Sequence, residues 1–522
     1  MRRLTGVLAR GIRRGMARAD AAMNRLYGWR HNPLYMSGTL AVVSLAVVLV
    51  TGVYLLLYYR IGAPYASVAR LTDQVWAGRW IRSLHRYASD AAVLAAALHA
   101  LRLFVQARSW GPRALAWVSG LVLLFIVFVC GWTGYVMVWD VQGEVLAREG
   151  ARFFDLLPLF SEPIGRAFAG DRTIPGAFFF LNLFLHVALP IGVGLLLWIH
   201  VSRVARPAIL PPRGLTWGVT GLLLALSVFW PVAMAPAADL LRLPGRAPFD
   251  AFFSFWLPVV RPMPVGVAWV AVLGLSAVAL LAPLWSRPRA GARQPPSAVD
   301  ERLCTGCEQC YLDCPYEAIA MVTRADGRPT LVAHVDPDRC TSCGICAGSC
   351  APMGVGPAHR TGRDQLVQVA SFLAARELGA RDVVVIACGR GAGGVGAAGS
   401  VDGAPVHVVQ CAGNLHSSVV EYLVRSGVGG VLIVSCPPRD CWNREGAKWL
   451  DARLNHDREA ELKPRVDRRR VCLLFAAEGE RAAVRAGLRT FRAVVETLDA
   501  ASREEEIDLL ALCEHSEEGA VS

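Results

Sequence analysis

The chain has 522 residues, 54% of them hydrophobic and only 18% charged, with a formal net charge of +12 and a mean hydropathy of +0.39. That is too apolar overall for an ordinary soluble enzyme. Basic charge beside apolar runs tracks membrane orientation, so the positive balance points to a membrane partner and no nucleic acid is expected.

Residues 1–36 are rich in arginine (Arg2, Arg3, Arg10, Arg13, Arg14, Arg18, Arg25, Arg30). No short apolar region with a cleavage site comes after them, so they read as a basic amphipathic segment at the cytoplasmic surface rather than a removable signal. Apolar runs then occupy 37–59, 87–105, 114–139, 177–201, 215–236 and 264–285. Each is near the roughly 20 residues that span a bilayer, which predicts six transmembrane helices over 37–285, with 249–260 an interfacial piece. Arginines after the second, fourth and last runs put the chain beyond residue 285 on the cytoplasmic side by the positive-inside rule.

The second run, with the residues leading into it, carries His85 and His99, and the fourth carries His186 and His200, fourteen positions apart in both cases. Fourteen residues make nearly four helical turns, roughly 21 Å, so each helix offers two histidines on one face at two depths. Two such helices side by side make two clamps for metal. Gly38 and Gly52 in the first run, and Gly120 and Gly134 in the third, repeat the interval. Glycine inside a helix costs about 1 kcal/mol relative to alanine, so these positions predict clearance for something bulky, such as a haem ring. Ionisable residues within a membrane are functional by default, and imidazole is a standard axial ligand of haem.

These residues make the region 30–285 resemble the cytochrome b of bc-type quinol complexes. The resemblance implies an outer-side haem b on His85 and His186 and a cytoplasmic-side haem b on His99 and His200, with Arg82 and Arg102 as haem-propionate partners. "GYVMVWD" (134–140) resembles the end of that family's third helix, and "FDAFFSFWLPVVRPMP" (249–264) takes the place of its quinol-site segment. The family's Pro-Glu-Trp-Tyr signature is absent from 245–265 and Val138 stands where a proline is expected, which argues against bc-type bifurcation.

Residues 286–302 are rich in Pro, Arg and Gly and read as a linker of at most roughly 60 Å. Of fifteen cysteines only Cys130 precedes it, and cysteine density on a cytoplasmic side argues for clusters rather than disulfides. In 303–360, Cys304, Cys307, Cys310 and Cys314 are followed by Cys340, Cys343, Cys346 and Cys350. Both sets are C-x2-C-x2-C-x3-C, the pattern of bacterial two-cluster ferredoxins, in which the fourth cysteine ligates the other cluster. One [4Fe–4S] is thus expected on Cys304, Cys307, Cys310 and Cys350, the other on Cys340, Cys343, Cys346 and Cys314. Zinc needs only four ligands and leaves the duplication unexplained.

A connecting helix is expected over 361–380. From 381 short β-branched runs end in Cys388, Cys411 and Cys436, with a crossover helix at 416–427 and a further strand at 470–477. Alternation of this kind predicts a parallel α/β sheet with its site beyond the carboxyl ends of the strands, where Cys388, Cys411, Cys436 and Cys441 converge. "GRGAGG" (389–394) matches a dinucleotide fingerprint but lacks the helix that motif needs, and His416 reads as a helix-start residue rather than a ligand. The order of these runs over 381–500 resembles the iron–sulfur delta subunit of methanogen hydrogenases that dock onto heterodisulfide reductase, which implies a [2Fe–2S] cluster on those four cysteines. Cys472 and Cys513 read as structural, and 501–522 is an acidic tail.

The sequence therefore predicts an all-α six-helix transmembrane dihaem bundle, then an α+β ferredoxin domain, then an α/β parallel-sheet iron–sulfur domain. The expected activity is that of a multi-pass electron-transfer subunit of a quinone-linked oxidoreductase in a prokaryotic inner membrane. A cytoplasmic flavoprotein or heterodisulfide-reductase-like subunit is the expected partner, with a homodimer through the bundle as a further possibility. A quinone-relay anchor of a hydrogenase or formate dehydrogenase is the alternative, and a redox-sensing or assembly protein without turnover is the alternative from another class.

Overall fold

The computed structural model describes residues 2–106, 108–157, 163–168, 174–205, 209–242, 248–286, 294–389, 391, 395, 399–456, 458, 460–477 and 480–500. Most of the glycine loop after Cys388, the linker residues 287–293, Cys513 and the acidic tail lie outside these residues. The chain divides into two units, residues 30–286 on the one hand and 1–29 with 287–522 on the other.

After the arginine-rich helix α1 (Arg2–His31) come α2 (Ser37–Leu56), α3 (Gly78–Val105), α4 (Ala114–Val138) and α5 (Gly176–Ile199). Within the membrane unit α2 packs on α3 and α4 on α5. α5 holds Pro190 in its interior and continues from His200 to Ala205 as a wider π-helical turn, a distortion often found at functional sites.

Where the sequence predicts six spans, four helical stretches among the described residues have the length and apolarity to cross a membrane: Ser37–Leu56, Gly78–Val105, Gly111–Val138 and Gly176–Ser202. The runs expected as fifth and sixth spans form α6 (Arg213–Phe229) and α7 (Val265–Leu280), of 17 and 16 residues. At about 1.5 Å per residue these reach roughly 25 Å, short of a hydrocarbon core of about 30 Å. Prolines set their limits. α6 begins after Pro212 and stops before Pro231, whereas α7 begins after Pro264 and breaks at Leu281 ahead of Pro283.

In the second unit β1 (Ile319–Thr323) pairs antiparallel with β2 (Leu331–Val335), from Ile319↔Val335 to Thr323↔Leu331. Short helices at Gln309–Leu312 and Ile345–Ser349 carry the third cysteine of each motif, Cys310 and Cys346. α8 (Gly362–Ala374) opens on a capping box between Thr361 and Asp364. It leads to β3 (Val383–Cys388), β4 (Ala404–Val409), α9 (Ser417–Arg425), β5 (Gly430–Ser435), α10 (Gly446–Asn455), β6 (Val471–Phe475) and α11 (Arg481–Ala500).

The sheet runs β4-β3-β5-β6 with all four strands parallel, and the pair Ser400–Val401 adds an antiparallel edge on β4. β3 and β5 are buried along their whole length, as expected for central strands covered on both faces. That burial is why their sequences are continuous runs of Val, Ile and Leu rather than alternations.

Candidate metal centres

Each of the four membrane histidines lies against one of the four glycines. An added Cβ would stand 2.8 Å from His99 at Gly38, 3.2 Å from His85 at Gly52, 3.5 Å from His200 at Gly120 and 2.9 Å from His186 at Gly134. Glycine therefore seats the imidazole itself against the neighbouring helix. His85 and His186 face each other with ring centroids 6.3 Å apart. A metal held at about 2.0 Å from each ring nitrogen asks for a separation near 6 Å, so this pair fits a haem iron between the rings.

A second regularity was legible in the sequence and missed. Each glycine follows a hydroxyl residue: Ser37, Thr51, Ser119 and Thr133. The Thr51 hydroxyl donates to Val47 O at 2.7 Å and lies 3.0 Å from Nδ1 of His85, so it accepts the Nδ1 proton. Ser119 donates to Leu115 O and lies 2.8 Å from Nδ1 of His200 in the same way. Nδ1 of His186 lies 2.9 Å from the Cys130 carbonyl, which can only accept, and 3.1 Å from Thr133 Oγ1. Three imidazoles thus keep their proton on Nδ1, which leaves the Nε2 lone pair for a metal. The buried hydroxyl of Ser37 has no hydrogen-bond partner among the described residues.

Arg82 donates to Val232 O at 2.8 Å, and the buried Arg102 guanidinium lies over the Tyr35 ring at 4.5 Å. A polar group absent from the expected site residues stands one residue beyond His85. Arg86 pairs with both Asp90 and Asp250, and Asp250 also accepts from the Tyr135 hydroxyl. The Arg86 and Asp90 pair, four apart inside an apolar helix, was the signal that could have found it. Asp250 further accepts from the N–H groups of Phe252 and Phe253, and Phe253 packs on Gly131.

In the ferredoxin-like region one cavity is lined by Cys304, Cys307, Cys310 and Cys350, with Met321, Ala333 and Val355 as apolar walls. The fourth cysteine lining that cavity is Cys350 from the second motif. Cys314 lies in electrostatic reach of Cys340, and Cys346 of both. Backbone N–H groups of Ser297, Ala318 and Gly354 point at the sulfurs of Cys340, Cys314 and Cys350 at 3.4, 3.3 and 3.3 Å, donors that suit a thiolate bound to iron. Burial pushes the Cys346 thiol up to about 12, so metal must displace its proton on binding.

Beyond the carboxyl ends of β3, β4 and β5 the thiols of Cys388, Cys411, Cys441 and Cys436 form a hydrogen-bonded ring, Cys388 to Cys411 to Cys441 to Cys436 and back. All four are buried. Gly446 leaves room beside the sulfurs of Cys441 and Cys411, 3.0 and 3.2 Å from its added Cβ, and the Asn443 side chain bonds Cys411. Neither residue was expected from the sequence. His416 takes no place in the ring. Its Nδ1 accepts from Ser418 N–H as the cap of α9, and Nε2 donates to Cys350 O at 3.1 Å. Among the described residues no three His, Cys, Asp or Glu side chains are arranged around a single ion, whereas a cluster distributes its thiolates over several irons.

Comparison with known proteins matches residues 27–208 to cytochrome b/b6/petB, 303–354 to a 4Fe-4S dicluster domain and 394–499 to the methyl-viologen-reducing hydrogenase delta subunit. Two relatives, the menaquinol:cytochrome c reductase cytochrome b subunits of Geobacillus thermodenitrificans and of Bacillus subtilis (strain 168), are each 27% identical over 186 residues, 34% of this chain and 82% of theirs. A solved chain of a hyperthermophilic respiratory complex III aligns at 18% identity and a TM-score of 0.39, covering 48% of this chain and 75% of that one. The cytochrome match stops at 208, before α6 and α7, and the hydrogenase match begins after Cys388. The protein thus carries a cytochrome b/b6 domain, a 4Fe-4S dicluster domain and a hydrogenase delta-subunit domain, joined in that order in one chain.

Proposed function

We propose that the protein is a membrane electron-transfer subunit connecting a cytoplasmic redox partner to the quinone pool. The observation that carries this reading is the His85–His186 pair, 6.3 Å apart and backed by glycine, with the Nδ1 protons held by Thr51 and by the Cys130 carbonyl beside Thr133. An arrangement of this kind offers two neutral Nε2 donors to one metal. His99 and His200 stand fourteen residues further along the same two helices, against Gly38 and Gly120, so two haems b are assigned, the His85–His186 site toward the outer face and the His99–His200 site toward the cytoplasm. Bound haem supplies one-electron chemistry. The chain's part is to present imidazoles in a fixed tautomer and to seat them without side chains in the way.

The eight cysteines of the dicluster domain are assigned to two [4Fe–4S] clusters in the crossed partition, and the thiol ring to a [2Fe–2S] cluster. The arginine pattern supports a cytoplasmic side for these domains. Quinone as the membrane-side substrate rests on the names of the cytochrome b relatives, which are menaquinol reductase subunits. A flavoprotein or heterodisulfide-reductase-like subunit is the soluble partner proposed for the hydrogenase-type domain.

Protein purified anaerobically is expected to contain both haems and acid-labile sulfide, and to show haem reduction on adding menaquinol or on reducing its clusters. His99→Leu should abolish the spectrum of the cytoplasmic-side haem and slow reduction of the other. Unchanged haem content in that variant would overturn the assignment.

A further inference from the structure

Arg453 on α10 is 1% exposed, the largest fully buried side chain among the described residues. Its guanidinium joins two cysteine loops. One Nη donates to Gly413 O at 2.7 Å and Leu415 O at 3.3 Å, just beyond Cys411. The other donates at 3.0 Å to Ser349 Oγ, between Cys346 and Cys350. Gly348 makes the seat, since an added Cβ would lie 2.6 Å from the guanidinium.

No carboxylate pairs with it among the described residues. The nearest acid in the network, Asp313, accepts from Ser349 Oγ and from Arg458, each at 2.6 Å, so the Ser349 hydroxyl separates it from Arg453. Arg453 Nε has no hydrogen-bond partner among the described residues. Burying a guanidinium that no carboxylate touches directly is costly unless charges nearby compensate it. The charges in reach are Asp313 first, opposed by Arg458, and then the sulfurs of Cys411 and Cys346, one in each cysteine site, and Cys343 in turn lies in electrostatic reach of Cys411.

Resting on the cluster assignment above, we infer that Arg453 is the shared counter-cation between the thiol ring of Cys388, Cys411, Cys436 and Cys441 and the neighbouring site of Cys340, Cys343, Cys346 and Cys314, positioning both loops for direct electron exchange. When one electron leaves the first site and enters the second, no bond is made or broken and the guanidinium keeps its proton. The same fixed charge stabilises the reduced form of either site, raising both potentials together. Asp313 and Arg458 offset each other beside it, so Arg453 supplies the net charge at this junction.

The test is a potentiometric titration of the full chain, purified anaerobically with its clusters, followed by EPR, with iron and sulfide counted for each variant. Arg453→Gln is expected to keep its clusters while the midpoints of these two sites shift negative and that of the Cys304, Cys307, Cys310 and Cys350 site shifts less. Wild-type midpoints in a fully loaded Arg453→Gln protein would overturn the inference. If that variant fails to hold clusters, Arg453→Lys decides. A charge role predicts loaded clusters at wild-type midpoints, whereas an empty Lys variant, or one with lowered midpoints, assigns Arg453 to packing alone and overturns the inference. A wild-type protein without sulfide or cluster signals would instead overturn the cluster assignment on which this rests.

Discussion

A methyl group on Gly38 or Gly134 would meet an imidazole at 2.8 or 2.9 Å, whereas at Gly120 the gap is 3.5 Å. Carbon atoms pack comfortably at about 3.5–4.0 Å, so of these three only the first two force the ring to tilt. Gly38→Ala and Gly134→Ala are each expected to lose most of one haem, and Gly120→Ala to keep both, as counted by pyridine haemochrome; equal haem content in all three would refute the seating of imidazole on glycine. Thr51→Val tests the tautomer in turn. Removing such a partner from a ligating histidine costs roughly 10- to 100-fold in metal affinity, so the variant should release the outer-side haem more readily while His99 and His200 retain theirs. The fourteen-residue intervals were legible because helical periodicity is local. Which glycine meets which histidine was not, because that depends on how helices pair, and the hydroxyl before each glycine gains meaning only once its acceptor role is seen.

The strands behave differently from the membrane helices as elements. A buried parallel strand declares itself by an unbroken β-branched run, and the carboxyl end of such a strand is where a site forms, so Cys388, Cys411 and Cys436 could be placed from the sequence. The apolar runs after residue 210 show only hydrophobicity, and prolines that shorten α6 and α7 were passed over in counting spans. Asp250 illustrates what sequence order hides: its partner Arg86 is 164 residues away. Burial pushes the Asp250 carboxyl up, but the Tyr135 hydroxyl, the N–H groups of Phe253 and Phe252 and the Arg86 guanidinium outweigh it and hold the group below its ordinary range. Asp250→Asn breaks the pair and leaves Arg86 with Asp90 alone. Because the Arg86 side chain is 25% exposed, the cost should fall at the low end for a broken buried pair, roughly 3 kcal/mol. Thermal unfolding in detergent measures it, and a melting curve identical to wild type would show that the pair does not anchor the segment at 249–260.

At the scale of the whole molecule, the decisive feature is that three redox domains share one chain. Fusion fixes their stoichiometry at one of each per chain. In the described structure the thiol ring sits beside the second ferredoxin site, joined by Asn414 to Gly344 O at 2.8 Å and by Arg453 to Ser349. In the proposed function a soluble donor enters at the ring and quinol at the haems. Cys411→Ala separates the two entrances. It removes one thiol of the ring and none from either ferredoxin motif, so rapid mixing with the soluble donor should reduce the haems far more slowly than in wild type, while menaquinol reduces them at the wild-type rate. Equal slowing of both reactions would point to a general loss of fold. Fast haem reduction by the soluble donor in this variant would mean that electrons bypass the ring, and the serial order from thiol ring to dicluster to haem would have to be given up.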